Sequence, residues 1–519
     1  MSSDARRVLA RNTIWNYAGF GINLIANLVM LPYVVGHIGD AAAGVWLLMS
    51  SVTGYMGLLE LGIVPSLTQS IAASRARGER DAVGRATSSA LVLLIGLAGL
   101  AMMLLPLAPF AIGLLRVPSE LERELSIAFR ITVIGFALRM PLAAFQGVLL
   151  GCQRQDRCNQ LWIGMAVAKF IAAVGAISAG YGLIGLVVSE MTIHLLAGVF
   201  QIKWVFAELP DLRLSWRLVR LADTNALMSF GGALFAVTIC SLLIEQTDRV
   251  VIAAFLPVAM VTYYAAAWKM YMLASSLTTT LVQAVSPVAA DLHGRGDYEA
   301  LRGLFLRSTK YTAALAWPFV MTLGFAGGFL LRIWMGQEFV GTLPVVQALF
   351  VGFIVTAHNH AGYSALIGMR RVGATLPRYF IPQAVLNVAI SIWLVQRLGN
   401  VGVALGTAIP AVALQYFYLR FVLSELQVSW REFFTVAVAP AATPALICFV
   451  PLMFAYFQLD RSSPILLLVA GVCSVVYAAA LWRFLEPDER AALRAYLTQY
   501  VPARRVRAEE TSAAAQEPR

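Results

Sequence analysis

Ile71-Ala-Ala-Ser-Arg-Ala-Arg-Gly-Glu-Arg-Asp-Ala-Val83 returns, altered but recognisable, as Val288-Ala-Ala-Asp-Leu-His-Gly-Arg-Gly-Asp-Tyr-Glu-Ala-Leu301. Each copy ends a long apolar run in small residues and turns at a basic glycine loop. Each then re-enters with an acidic residue, an alanine and an aliphatic residue. Aligning Gly78 with Gly296 gives an offset of 218, with one single-residue gap upstream. Six apolar runs lie between the copies, and six is even, so both halves cross a bilayer in the same sense. That pattern predicts a parallel repeat about an axis along the membrane normal.

Working outward, about fourteen apolar stretches approach the roughly 20 residues a bilayer-spanning helix needs. They are 14–35, 45–71, 88–107, 127–150, 161–179, 183–206, 226–245, 258–288, 304–329, 345–367, 381–395, 401–423, 433–457 and 464–485. The chain is 59% hydrophobic and 13% charged, against roughly 45–50% and 25% in soluble domains. The expected fold is therefore all-α and polytopic: about 14 transmembrane helices, two six-helix lobes in parallel pseudo-repeat, and an appended helix pair. The boundaries read 1–206 for the N-lobe and 207–425 for the C-lobe, whose cytoplasmic bridge is 207–221. The appended spans occupy 426–486 and a tail 487–519. Pro210, Asp211, Arg213, Trp216 and Arg217 make the bridge a short amphipathic segment, and Pro487–Tyr500 reads as an interfacial helix.

The net charge of +11 is dispersed through membrane-proximal loops. It therefore reads as orientation and anionic-lipid contact, not as nucleic-acid binding. With the N-terminus inside, inner loops and tail collect 29 of the 39 Lys and Arg residues, and outer loops only six: Arg116, Arg123, Arg249, Arg332, Arg397 and Arg461. Both termini are expected in the cytoplasm, with the chain in the inner membrane. Cys152, Cys158, Cys240, Cys448 and Cys473 lack zinc-site spacing and read as thiols. The first apolar run is too long for a signal peptide and reads as the first span.

Enzymatic signatures are absent, including zinc-protease, phosphate-loop, dinucleotide and nucleophile-elbow motifs. Transport is the default. The N-terminal portion carries Arg11-Asn-Thr-Ile-Trp-Asn-Tyr17, Leu31-Pro-Tyr-Val-Val-Gly-His-Ile-Gly39, Gly44-Val-Trp46 and Gly54-Tyr-Met-Gly-Leu-Leu-Glu-Leu-Gly62. These stretches, with the span count and repeat, resemble the Wzx-type polysaccharide-repeat flippases. Those belong to the multidrug/oligosaccharidyl-lipid/polysaccharide exporter superfamily. The resemblance implies two lobes around a cavity that opens alternately to each side. The cargo it implies is an undecaprenyl-diphosphate-linked oligosaccharide, moved from inner to outer leaflet. A polysaccharide polymerase and glycosyltransferases are the implied partners, beside the lipid-linked oligosaccharide and membrane lipids.

Each charge at mid-membrane costs about 2.5–3.5 kcal/mol on insertion scales, so residues retained there are site candidates. Arg139, Lys169 and Lys269 read as a cationic lining for diphosphate or acidic sugars, the alternative being structural ion pairs. Asn23, Asn27 and Asn387 can bond sugar hydroxyls or neighbouring helices. Of His358 and His360, about 200° apart on a helix, one can line the cavity but both cannot hold one metal. Glu190 and His194 share a helix face and suit coupling to a proton or sodium gradient, with no other cofactor implied. Glu60 reads as a gating or packing residue. A cation-coupled multidrug antiporter and a lipid-linked peptidoglycan-precursor flippase are the rivals within the superfamily. An integral membrane glycosyltransferase or polymerase is the rival outside it.

Overall fold

A computed structural model of the chain describes residues 3–60, 62–229, 232–485, 487 and 489–491, with only the backbone described for 3–18, 20, 107, 111, 229 and 232–234. The side chains of the Arg11–Tyr17 motif, most of the expected 487–500 helix and the tail lie outside this set. Every regular element among the described residues is helical.

Eleven helical segments are long and apolar enough to span a membrane, and twelve if Tyr298–Phe325 and Gly327–Met335, bent by 70°, count as one. The expected fourteen is not reached by that criterion, for two physical reasons. Ser3–Met56 runs as one element of 54 residues, about 80 Å if straight, which no 30 Å core accommodates as a single span. It breaks at Gly39 (φ 81°, ψ 166°), in the outer turn expected from sequence. Gly232–Phe255 carries Glu245, Asp248 and Arg249 inside the helix and so fails an apolarity test. The expected span 226–245 was drawn too early, and Arg249 is not an outer-loop residue.

The repeat is written into the backbone. Gly78 and Gly296 both adopt left-handed φ, +73° and +72°, and the residues after them, Glu79 and Asp297, begin the next helices with nearly identical dihedrals. Gln153 and Arg370, 217 positions apart, are left-handed at φ 59° and 58°. The helical break at Met140–Leu142 has its counterpart at His358 and Asn359, between Leu343–Ala357 and His360–Gly368. A non-glycine left-handed residue is uncommon, so this pair at one offset marks duplicated architecture.

The halves meet along a seam. Thr262 Oγ1 donates to Asp40 O at 2.7 Å, and Tyr263 OH to Asp40 Oδ2 at 3.3 Å. Arg116 N donates to Ala253 O at 2.7 Å, and Val258 N to Arg116 O at 3.0 Å. Leu31, Val45 and Leu125 share one buried cluster with Val251, Val258 and Ala265. These contacts gather at the end of the bundle that the charge pattern assigns to the outside. At the other end, Leu209, Leu212 and Leu214 pack against the Val83 and Ala86 cluster. Ser215 N donates to Ser88 Oγ at 3.2 Å, so the bridge is a strap laid over the N-terminal half. The chain beyond Pro464–Phe484 is fastened by Glu489, whose two carboxylate oxygens each accept from Lys310 Nζ at 2.7 Å. All five cysteines are buried and free.

Gly44 sets how closely the seam closes, because a Cβ there would lie 2.3 Å from Val258 O. Gly44→Val should therefore force the outer seam apart. A cysteine placed at Ser51 should then react faster with an impermeant maleimide from outside. Unchanged labelling would mean that the seam lies elsewhere.

Candidate functional site

Two charge clusters occupy the N-terminal half. Lys169, on Gln155–Ser178, and Glu190 and His194, on Gly182–Glu208, converge as the sequence spacing allows. Lys169 Nζ donates to Glu190 Oε1 at 3.2 Å and contacts His194 Nε2 at 2.8 Å. A lysine ammonium only donates, so His194 accepts. Trp46 Nε1 completes the group by donating to Glu190 Oε2 at 3.2 Å. Nearby chemistry repeats at two helix interruptions. Glu60 ends a 3₁₀ turn, Gly57–Glu60, and Arg139 precedes the 3₁₀ turn that contains Pro141. Arg139 Nη2 lies 3.5 Å from Glu60 Oε1, with its guanidinium 4.9 Å from the Phe136 ring centroid. Irregular backbone at membrane depth is tolerated where protein or water satisfies it, and the ion pair sits at such a place.

These contacts correct the sequence reading. Arg139 and Lys169 do not form a free cationic lining, because each faces a carboxylate, and all four side chains are only a quarter to a third exposed. Four formal charges in this half therefore cancel in pairs. Glu190 and His194 are tied to one lysine, and Glu60 serves as the partner of Arg139.

The C-terminal half is different. Lys269, on Ala259–Val282, donates to Asn27 Oδ1 at 3.4 Å across the seam. Arg249 Nη1 reaches Ser51 Oγ at 3.4 Å and Gln246 Oε1 at 3.3 Å. Among the described residues neither cation has a carboxylate within ion-pair distance. Two cations of the C-terminal half thus meet the first helix of the chain through neutral oxygens alone. Tyr55 OH and Thr247 Oγ1, 2.6 Å apart, lie beside them along the same two helices. Asn27 serves the site as an acceptor, while its Nδ2 and that of Asn23 bond back to Asn23 O and Gly19 O at 2.9 Å.

Asp248, next to Arg249, is wholly buried. One of its oxygens, Oδ2, accepts from Tyr264 OH and, at 3.0 Å, from Thr407 Oγ1. Asn387 Nδ2 in turn donates to Thr407 Oγ1 at 2.9 Å. Asp248 Oδ1 and Asn387 Oδ1 are buried and have no donor among the described residues. Asn387 is therefore part of an interhelical network and not a surface for sugars. His358 also departs from expectation. Its Nδ1 lies 2.6 Å from Ile354 O in its own helix, and it is Asn359 and His360 that line the nearby cavity.

Sequence reasoning missed Glu245, Asp248 and Arg249 because the seventh span was ended at Glu245. The available signal was the apolar run Val250-Val-Ile-Ala-Ala-Phe255 beyond them, which continues the helix past the charges.

The comparisons with known proteins agree with this architecture. The model of a family described as "Polysaccharide biosynthesis protein" matches residues 121–344, the stretch that holds Arg139, Lys169, Glu190, Arg249 and Lys269. The Shigella flexneri "Putative O-antigen transporter" is 20% identical over 425 residues, covering 79% of this chain and 98% of the relative. A solved inward-facing multidrug-resistance MATE family transporter of the MOP superfamily superposes with a TM-score of 0.70 at 14% identity, covering 78% of this chain and 94% of its own. A structure described as "Lipid II flippase MurJ, inward closed conformation" gives 0.70 at 13% identity, covering 91% and 98%. The resemblance to Wzx-type flippases of this superfamily is thus supported by sequence relatives and by fold. The chain is a multi-pass membrane protein with a transporter fold.

The Lys169–Glu190 pair generates a stability test. Lys169→Met leaves Glu190 without its cation and should cost about 1–2 kcal/mol, allowing for partial exposure. The thermal midpoint of the purified protein should fall by a few degrees, and Lys169→Met/Glu190→Gln should recover most of the loss. A double variant no more stable than the single one would show that the pair does not hold these helices together.

Proposed function

We propose that this protein flips an undecaprenyl-diphosphate-linked oligosaccharide from the inner to the outer leaflet of the inner membrane. The observation that carries the reading is the pair Arg249 and Lys269, two intramembrane cations at the seam without a carboxylate partner. A charge kept in the membrane interior is costly unless paired, and a diphosphate headgroup brings the missing negative charge. Arginine offers a planar fork of donors and lysine a point charge, the usual division of work in phosphate recognition. The family match and the O-antigen relative support a saccharide attached to that diphosphate. In this reading both termini face the cytoplasm, where glycosyltransferases assemble the cargo, and a polymerase receives it on the far side.

Transport follows by alternating access. The outer seam through Asp40, Gly44 and Arg116 closes one end while the cargo enters from the other, and the lipid tail stays in the bilayer. The headgroup meets Arg249 and Lys269 where the first helix touches both C-terminal helices, so its charge and the closure of the seam bear on the same contacts. For coupling to an ion gradient, Asp248 is the better candidate. It carries an acceptor oxygen without a donor, whereas Glu190 and His194 are both engaged by Lys169.

Deletion of the gene should abolish the surface polysaccharide and leave its lipid-linked unit accumulating in the inner leaflet. Arg249→Ala and Lys269→Ala should each lower export about ten- to a hundredfold, as expected for loss of a charged hydrogen bond worth about 1.5–3 kcal/mol. Normal polysaccharide in the deletion strain, together with new sensitivity to cationic drugs, would replace this reading with the multidrug antiporter.

A further inference from the structure

We propose that the C-terminal half contains a saccharide-binding cavity, separate from the cations at the seam, that takes an uncharged sugar ring and excludes acidic sugars. The proposal rests on the flippase reading for the identity of the cargo, and adds to it where the glycan sits and which sugars fit.

The cavity has a volume of about 360 Å³, within the roughly 300–1,000 Å³ range of small-molecule sites. Its walls come from Gly232–Phe255, Ala259–Val282, Leu343–Ala357 and Asn400–Ala413, closed by a π-helical turn at Leu376–Phe380. Such turns are rare and cluster at functional sites. Two aromatic pairs contribute to the lining. Trp268 and Tyr271 have ring centroids 4.9 Å apart, and Tyr379 and Tyr418 4.8 Å apart. Aromatic faces suit a pyranose, whose axial C–H bonds make an apolar face while its hydroxyls project outward.

Gln383 decides between a saccharide and an apolar ligand. It is only 8% exposed and lines the cavity, yet its amide makes no hydrogen bond to any described residue. A buried polar group left unpaired costs about 1–3 kcal/mol, and native interiors seldom leave one so. His360 Nδ1 is buried without a partner as well. Their polar neighbours are committed elsewhere. Asn359 and Gln415 exchange amide hydrogen bonds at 2.7 and 2.6 Å, and Thr407 serves Asp248 and Asn387. The His360 Nδ1 atom is sealed from the cavity, which leaves the Gln383 amide, on the cavity wall, to meet a ligand that both accepts and donates, as a hydroxyl does. An acyl chain would do neither.

Charge supplies the selectivity. No lysine or arginine lines the cavity, and Glu245 is its carboxylate, exposed within the bundle and without an ion pair. A carboxylate accepts sugar hydroxyls, but it repels a uronate or a phosphate. The diphosphate is thereby kept at Arg249 and Lys269. Glu245 and Ser241, both on the cavity wall, lie four and eight residues from Arg249 along one helix, about 6 and 12 Å at 1.5 Å per residue, so the cavity begins one turn from that cation. A glycan attached to a diphosphate at the seam reaches that far with its second or third ring.

The test uses the purified full-length protein in detergent and follows tryptophan fluorescence. The probes are the glycan released by mild acid from the cells' own lipid-linked oligosaccharide, and trigalacturonic acid as an acidic trisaccharide. The released glycan should bind saturably, and trigalacturonic acid should not. Gln383→Leu and Tyr271→Leu should weaken glycan binding at least tenfold. Glu299→Gln, at an exposed position away from the cavity and the seam, should change it less than twofold. If either cavity variant loses its thermal transition, Gln383→Met, which keeps the side chain's shape and removes its amide, carries the same test. No saturable binding by the unaltered protein, folded cavity variants that bind as tightly as it does, or equal binding of trigalacturonic acid would each overturn the proposal. Loss of polysaccharide on gene deletion without glycan binding removes the cavity alone. Glycan binding with intact polysaccharide removes the flippase reading alone.

Discussion

The structure depends on one constraint: hydrocarbon supplies no counter-charge, so every ionised side chain inside the bundle must find a partner or face a polar space. In the N-terminal half the requirement is met internally, by Arg139 with Glu60 and by Lys169 with Glu190 and His194. Those pairs fix the helices that carry them. Glu60 and Arg139 both stand at interrupted helices, where a straight rod would leave the two side chains at different depths. In the C-terminal half the requirement is met for Asp248 by hydroxyl donors. Arg249 and Lys269 meet only neutral oxygens. The two halves thus differ in how their buried charges are met: by ion pairs in the first, by neutral groups at Arg249 and Lys269 in the second.

Duplication makes that asymmetry easier to interpret. The left-handed residues Gly78 and Gly296, then Gln153 and Arg370, recur at nearly one offset, so the two halves share a backbone plan down to single dihedrals. The helical interruption before Pro141 corresponds to the one at His358 and Asn359. At equivalent points of that plan the side chains differ in kind. The first interruption presents a guanidinium to a carboxylate, the second an amide pair and an imidazole to a cavity. One backbone plan thus carries two chemically different linings.

Much of this was legible in the sequence. The repeat could be read from the loops Ile71–Val83 and Val288–Leu301, because a tight basic turn between helices needs a glycine with positive φ in both copies. Glu190 and His194 were placed on one face by their spacing alone. The pairing of Lys169 with Glu190 was not legible, since residues on different helices are brought together by packing that no local period encodes. The seventh span failed for a different reason. Three charges within five residues look like the end of a membrane segment, and only a fold that buries them at a seam makes the helix continue to Phe255. The 200° separation of His358 and His360 presumes an α-helix through both and does not say which ring lines a cavity. The interruption between Ala357 and His360 removes that assumption and turns the second ring toward the cavity.

The seam and the cations are parts of one device, and the geometry explains why. The first helical element of the chain supplies Asp40, Gly44, Ser51 and Asn27, and each meets the C-terminal half within Gly232–Phe255 or Ala259–Val282 or the turn between them. Those same two helices carry Arg249 and Lys269. Separating the first two spans, which meet at Gly39, from Gly232–Phe255 and Ala259–Val282 breaks the neutral contacts of Lys269 with Asn27 and of Arg249 with Ser51. Neutral contacts are weak enough to break, whereas carboxylates at those positions would lock the seam in the low-dielectric interior. Glu245, one turn back on the same helix, and Asp248 act on Arg249 only through space, so the direct contacts that Arg249 and Lys269 make across the seam are the neutral ones, which a sliding interface can break and remake.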